Sequence, residues 1–183
     1  MKLLFISLLL ASFFSGFGQS GKTIHTTRFG LKGGLNHSIV NGVELTGAKT
    51  GYIGNELYGS FFSDSRITKK LNLENELLFS WTDDYHFIEI PVHVKYRFTD
   101  KWSAFVGPKL DFIADNDNDP SESRFKFKNF GVSGELGVQY NITNWCFAET
   151  RYSESFVEQI TDQFLDINNG RRNTFRAGLG ITF

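Results

Sequence analysis

Hydrophobic and polar residues alternate with a period of two along most of the chain, the signature of strands with one apolar and one polar face. In 86–98 one phase reads His86, Ile88, Ile90, Val92, Val94, Tyr96, Phe98, and the other reads Phe87, Glu89, Pro91, His93, Lys95, Arg97. In 71–82 Leu71, Leu73, Asn75, Leu77, Phe79 and Trp81 oppose Asn72, Glu74, Glu76, Leu78, Ser80 and Thr82. The last segment sets Phe175, Ala177, Leu179, Ile181 and Phe183 against Thr174, Arg176, Gly178, Gly180 and Thr182. Eight such strands are predicted, at 28–37, 50–61, 70–82, 86–98, 101–113, 125–140, 145–156 and 173–183. Their connections alternate. Turns are expected at Ser63–Arg66, Thr99–Lys101 and Asn141–Asn144, and longer polar loops at 38–49, 114–124 and 157–172. Short turns at one end and long loops at the other describe an all-β, up-and-down antiparallel barrel.

Alternation alone leaves two barrels open. A lipocalin-like, soluble ligand-binding barrel turns its apolar phase inward, whereas a transmembrane barrel turns it toward lipid. Three features favour the eight-stranded transmembrane form. The polar phase carries Lys32, Glu56, Glu74, Glu76, Glu89, Lys95, Arg97, Lys109, Asp111, Glu135, Glu149, Arg151 and Arg176, a mixture of signs suited to mutual pairing in a narrow lumen. Trp81, Tyr96, Phe98, Trp102, Tyr140 and Phe183 fall near strand ends on the apolar phase, where interfacial girdles lie. The strands also have the length needed to cross a bilayer at a tilt, and closure there is obligatory because hydrocarbon cannot satisfy a sheet edge.

Residues 1–18 have a different character. Lys2 precedes an apolar run from Leu3 to Phe14, and Gly16-Phe17-Gly18 supplies small residues before a cleavage point, the layout of a secretory signal peptide. The run is too short for a spanning helix. Residues 19–183 are then one exported barrel domain, with no linker or shift in composition dividing them.

These residues also carry a family resemblance. The segments are Phe29-Gly30-Leu31-Lys32-Gly33-Gly34-Leu35-Asn36, Leu73-Glu74-Asn75-Glu76-Leu77-Leu78-Phe79-Ser80, Ile88-Glu89-Ile90-Pro91-Val92, Gly107-Pro108, Glu149-Thr150-Arg151-Tyr152 and the terminal Phe175-Arg176-Ala177-Gly178-Leu179-Gly180-Ile181-Thr182-Phe183. No one of them is specific, but their order resembles the PorT-like family of outer-membrane β-barrel domains. The resemblance implies an eight-stranded barrel in the outer membrane and no assigned activity. The short second outer connection departs from it. Phe183, preceded on the same phase by Leu179 and Ile181, resembles the C-terminal signal by which such barrels are inserted.

Composition narrows the function. The 183 residues include 20 Phe, 18 Gly and only 3 Pro, which suits strands and turns. A net charge of −1 gives no basis for nucleic-acid binding. The one cysteine, Cys146, excludes an internal disulfide framework and reads as a lipid-facing or packing residue. No cofactor is expected. Asp115-Asn116-Asp117-Asn118-Asp119 begins like a calcium loop, but Pro120 stands where glycine is needed and Lys126 where the bidentate glutamate belongs. His25, His86 and His93 are dispersed, which does not suggest a metal site, and His37-Ser38 would point to opposite faces of a strand. The lumen charges are either an ion path or a packed polar plug. An eight-stranded interior is just wide enough for side chains to fill it, which favours the plug. The function expected is therefore structural or loop-mediated interaction, with a small pore or secretion accessory next and a membrane hydrolase last. The partners expected are outer-membrane lipid, the insertion machinery and an external molecule met through 38–49, 114–124 and 157–172. Eight crossings put both termini on the side of the short turns, the periplasm.

Overall fold

The computed structural model describes residues 26–44, 46–81, 86–114, 130–158, 160–162 and 167–183. The signal-peptide reading, His25 and the aspartate run from 115 to 119 lie outside them. The strands are β1 (Thr27–Val43), β2 (Lys49–Arg66), β3 (Leu71–Trp81), β4 (His86–Arg97), β5 (Trp102–Ala114), β6 (Gly131–Asn141), β7 (Cys146–Ser155), β8 (Ile160–Asp162) and β9 (Ile167–Thr182). Each pairs antiparallel with its sequence neighbour from β1 to β7, β9 pairs with β7, and β1 pairs with β9 to close the ring. β8 is a short outrigger on β9, so the barrel itself has eight strands.

The apolar phase faces out. Leu35, Ile53, Leu57, Val106, Leu136 and Leu179 are exposed, while Lys32, Glu74, Glu89, Arg151 and Arg176 are buried inside. This arrangement overturns the soluble lipocalin-like alternative, because apolar surface arranged around the whole circumference requires a lipid solvent. Aromatic residues ring both ends of the apolar band. Phe29, Phe98, Trp102, Trp145 and Phe183 mark the turn end, with Tyr140 packed on Trp102 at 4.8 Å between ring centroids. Phe79, Trp81, Phe130 and Phe156 mark the other.

The three short turns share one design. Each is an apolar residue, a threonine, two polar or aromatic residues and another apolar residue: Ile67-Thr68-Lys69-Lys70-Leu71, Phe98-Thr99-Asp100-Lys101-Trp102 and Ile142-Thr143-Asn144-Trp145-Cys146. In each, the threonine Oγ1 accepts the backbone N–H two and three residues later, at 3.2 and 3.0 Å for Thr68, 3.3 and 2.9 Å for Thr99, and 3.3 and 2.9 Å for Thr143. A hydroxyl at that point satisfies amides that the bend removes from the ladder. The first turn is thus at Ile67–Lys70, and Ser63–Arg66, expected to bend, belongs to β2. Asp64 and Arg66 are lumen-phase residues there, so the polar character of this stretch reflects an interior position.

At the opposite end, two expected loops are strands. Segment 38–49 is mostly ladder: β1 runs to Val43, β2 starts at Lys49, and Gly47 makes the bend with φ of 85°. Segment 157–172 contains β8 and the first third of β9. The reason is pairing on both sides. β1 from Ser38 onward is hydrogen-bonded to β2 and to β9, and two ladders override the weak strand propensity of Asn and Gly there. Among the described residues β3 stops pairing at Leu57↔Trp81 and β7 at Ser153↔Thr174, whereas β1, β2, β8 and β9 continue beyond these points as a ridge.

Candidate functional site: a charged lumen and its open mouth

The inward phase builds a continuous network of ion pairs along the barrel axis. At the ridge end Arg172 bonds Glu56 and Glu89, the latter at 3.0 Å, and its guanidinium lies 3.8 Å above the Phe87 ring. Its Nε donates to Ser38 Oγ at 3.2 Å. Glu89 is the hub of the next layer. Arg176 holds it with one guanidinium nitrogen on both oxygens, and Lys109 approaches at 2.7 Å. Lys109 also meets Asp111 at 3.1 Å. Arg176 continues to Glu135 at 3.1 Å and to Asn36 Oδ1 at 2.7 Å.

Arg151 then links Glu135 at 2.9 Å, Glu76 at 3.1 Å and Glu149. Lys32 is enclosed by three carboxylates, Glu74 at 2.6 Å and Glu76 and Glu149 at 3.1 Å. Lys95 joins Glu74 to Asp64, the latter at 3.1 Å, and donates to Gln139 Oε1 at 2.9 Å. In a medium that cannot hydrate them, charges persist only when each is met by the opposite sign. Inward glycines leave room for rings among these charges. A Cβ on Gly178 would meet the Tyr58 hydroxyl, and one on Gly180 the Phe147 ring.

Twelve of the thirteen charges named from the sequence are buried in this network. Arg97 is not. It is half-buried at the turn end and makes no ion pair within 4.0 Å among the described residues. Three members were not foreseen. Asp64 fell in a stretch read as a turn. Arg172 fell in a stretch read as loop. His93, on the polar phase, lies between Glu135 and Glu74, its Nε2 3.0 Å and its Nδ1 3.5 Å from their oxygens. The alternation around Pro91 carried the signal for His93.

Glu74, Glu76 and His93 bring ligand-type atoms within 4.8 Å of one another. Lys32 and Arg151 already engage those carboxylates, so a metal ion would have to displace an ammonium and part of a guanidinium. His37 and Ser38 do not meet. His37 lies outside, with Nδ1 2.9 Å from Asn55 Oδ1, and Ser38 lies inside beneath Arg172. Cys146 is half-buried at the turn end, and Phe183 is exposed there with its N–H donating to Phe29 O at 2.9 Å.

Below Lys95 the packing opens into a cavity of about 300 Å³ at the turn-side mouth, lined by Arg28, Arg66, Arg97, Asp64, Asp100, Asn72, Gln139 and others. The network therefore fills the barrel from the ridge to this mouth and stops.

Residues 84–160 match the family model for the outer membrane protein β-barrel domain, a stretch from the start of β4 to β8. Among solved structures, neisserial surface protein A is similar over 85% of this chain and 97% of its own, at 16% identity and a TM-score of 0.53. The attachment invasion locus protein Ail of Yersinia pestis is similar over 86% of this chain and 99% of its own, at 10% identity and a TM-score of 0.53. The fold is that of an outer-membrane β-barrel. No curated protein matches the sequence. The matched description is the general one for outer-membrane barrels and does not carry the narrower PorT-like name. Two features of this barrel bear on what it can do: its ion-paired filling and, among the described residues, the ridge on one side.

Proposed function

We propose that the protein is a non-enzymatic component of the outer membrane, a sealed barrel that holds its ridge outside the cell for contact with another molecule. The PorT-like resemblance is kept as the finer family reading. The observation that carries the proposal is the combination of a lumen packed with ion pairs and a ridge built from β1, β2, β8 and β9 beyond the aromatic girdle. A rigid scaffold with a projecting element is how recognition surfaces are commonly displayed. The ridge is a paired sheet rather than a set of loops, so its contacts are pre-organised. Segment 115–124, the remaining candidate contact loop, lies outside the described residues. In this reading both termini and the three threonine turns are periplasmic, as short turns are in this architecture. The same outer-membrane location makes bilayer lipid and the insertion machinery its first partners, with Phe183 as the insertion signal.

The test is a ridge deletion. Joining Asn41 to Gly51 through a two-residue turn removes the tip and leaves the transmembrane pairing intact. The shortened protein is expected to keep the heat-shifted gel mobility of a closed barrel but to lose any cell-surface contact that the full chain supports. A protease site inserted at Gly47 should be cut on intact cells, and one inserted at Asn144 should be spared. The opposite cleavage pattern would overturn the orientation.

A further inference from the structure

We propose that the turn-side mouth is a binding site for a phosphate group, held by Arg28, Arg66 and Arg97. The three arginines occupy the lumen-phase positions nearest the turn end, at the start of β1 and the ends of β2 and β4, and line the same cavity of about 300 Å³. Four cationic side chains, these three and Lys95, face two anionic ones, Asp64 and Asp100.

The contrast with the rest of the interior is what assigns a role. Every fully buried base is held by at least one carboxylate: Lys32, Lys95, Lys109, Arg151, Arg172 and Arg176. The mouth arginines have none within ion-pairing distance among the described residues; of the two lining carboxylates, Asp64 is committed to Lys95 at 3.1 Å and to Asn72, and Asp100 makes no ion pair with any of the three. Guanidinium groups close together repel unless an anion sits between them, and their planar forks match the oxygens of a phosphate. Buried Asn72, Gln139 and Lys95 line the inner part of the cavity and offer amide and ammonium donors to an anion entering the mouth. The cavity is at the lower end of small-ligand pockets, sized for a phosphate and a short appendage. A free phosphate monoester and a phospholipid headgroup present the same group. Exposed Trp145 on the rim puts the site beside the bilayer surface, within reach of either. The inference does not depend on the ridge having a partner.

Two arms test it on the full-length protein refolded in a phosphate-free detergent. In the first, inorganic phosphate is titrated at constant ionic strength, using calorimetry and the fluorescence of a Trp81→Phe, Trp102→Phe variant that keeps only Trp145. Saturable binding is expected, weakened at least tenfold in the triple variant Arg28→Gln, Arg66→Gln, Arg97→Gln, and unchanged in Arg171→Gln at the ridge end. In the second, the protein in phosphatidylglycerol nanodiscs is examined by native mass spectrometry. Retained lipid that is lost in the triple variant identifies the headgroup as the source. Binding in either arm that disappears with the three arginines supports the site. Absence of binding in both arms, binding that survives the triple substitution, or binding that chloride matches at equal concentration would overturn it. Heat-shifted mobility establishes that each variant is closed, and three single Arg→Gln variants supply the same comparison should the triple one fail to close.

Discussion

Arg176 sits at the centre of the interior, touching Glu89, Glu135 and Asn36 with no exposure to solvent. Arg176→Gln keeps the hydrogen-bonding character but removes the charge, leaving two carboxylates short of a partner. Removing one member of a buried ion pair costs on the order of 3–5 kcal/mol, because the remaining charge has no water to fall back on. Urea unfolding of the lipid-reconstituted protein should show that loss. Arg171→Gln, one residue from Arg172 but exposed and, among the described residues, paired only with Glu158, should change stability by less than about 0.5 kcal/mol in the same experiment. The comparison separates charge in the lumen from charge in general.

Among the elements, the threonine turns and the lipid-facing strands make separate predictions. Thr99→Val deletes two hydrogen bonds to Lys101 and Trp102 while nearly preserving volume, and should cost about 1 kcal/mol in unfolding free energy. Thr68→Val and Thr143→Val should behave alike, since all three turns are built the same way. Leu136→Arg places a charge on the outer face midway along β6, where it should cost roughly 2–4 kcal/mol in a bilayer. An unchanged stability would mean that this face does not meet hydrocarbon. The inside and outside of every transmembrane strand could be read from the sequence because the period of two fixes the face once one residue is placed. Strand ends could not be read so well. Ser38 to Val43 and Ile167 to Arg172 look like loop because Asn41-Gly42 and Asn168-Asn169-Gly170 are turn signals inside them. Their state is decided by neighbours more than a hundred positions away, as in Asn41↔Arg171. The same limit hid Arg172. The partner of each lumen charge was hidden too, since pairing across the interior depends on barrel stagger, which no local pattern records.

At the scale of the whole molecule, the network from Glu56 to Asp64 leaves no open path through the barrel among the described residues, and planar bilayers containing the protein should show no steady conductance. Substituting Arg151 and Arg176 together by alanine removes the two largest fillings of the middle layers, and short openings are expected in that variant alone. Steady current through the unaltered protein would return the pore reading to first place. The seam between β1 and β9 has a consequence of another kind. Gly34 faces Gly178 across it, and the two strands stand about 140 positions apart in the chain. The strand that completes the ring is the last of the barrel's strands to be synthesised. A chain that ends before Ile167 therefore has two unsatisfied strand borders, on β1 and β7, and neither can be left in hydrocarbon. Every partial length is excluded from the membrane by the same physics that makes the finished ring stable. The decision to enter the bilayer is thus deferred until the sixteen-residue β9 exists, so that seven strands alone cannot commit the chain.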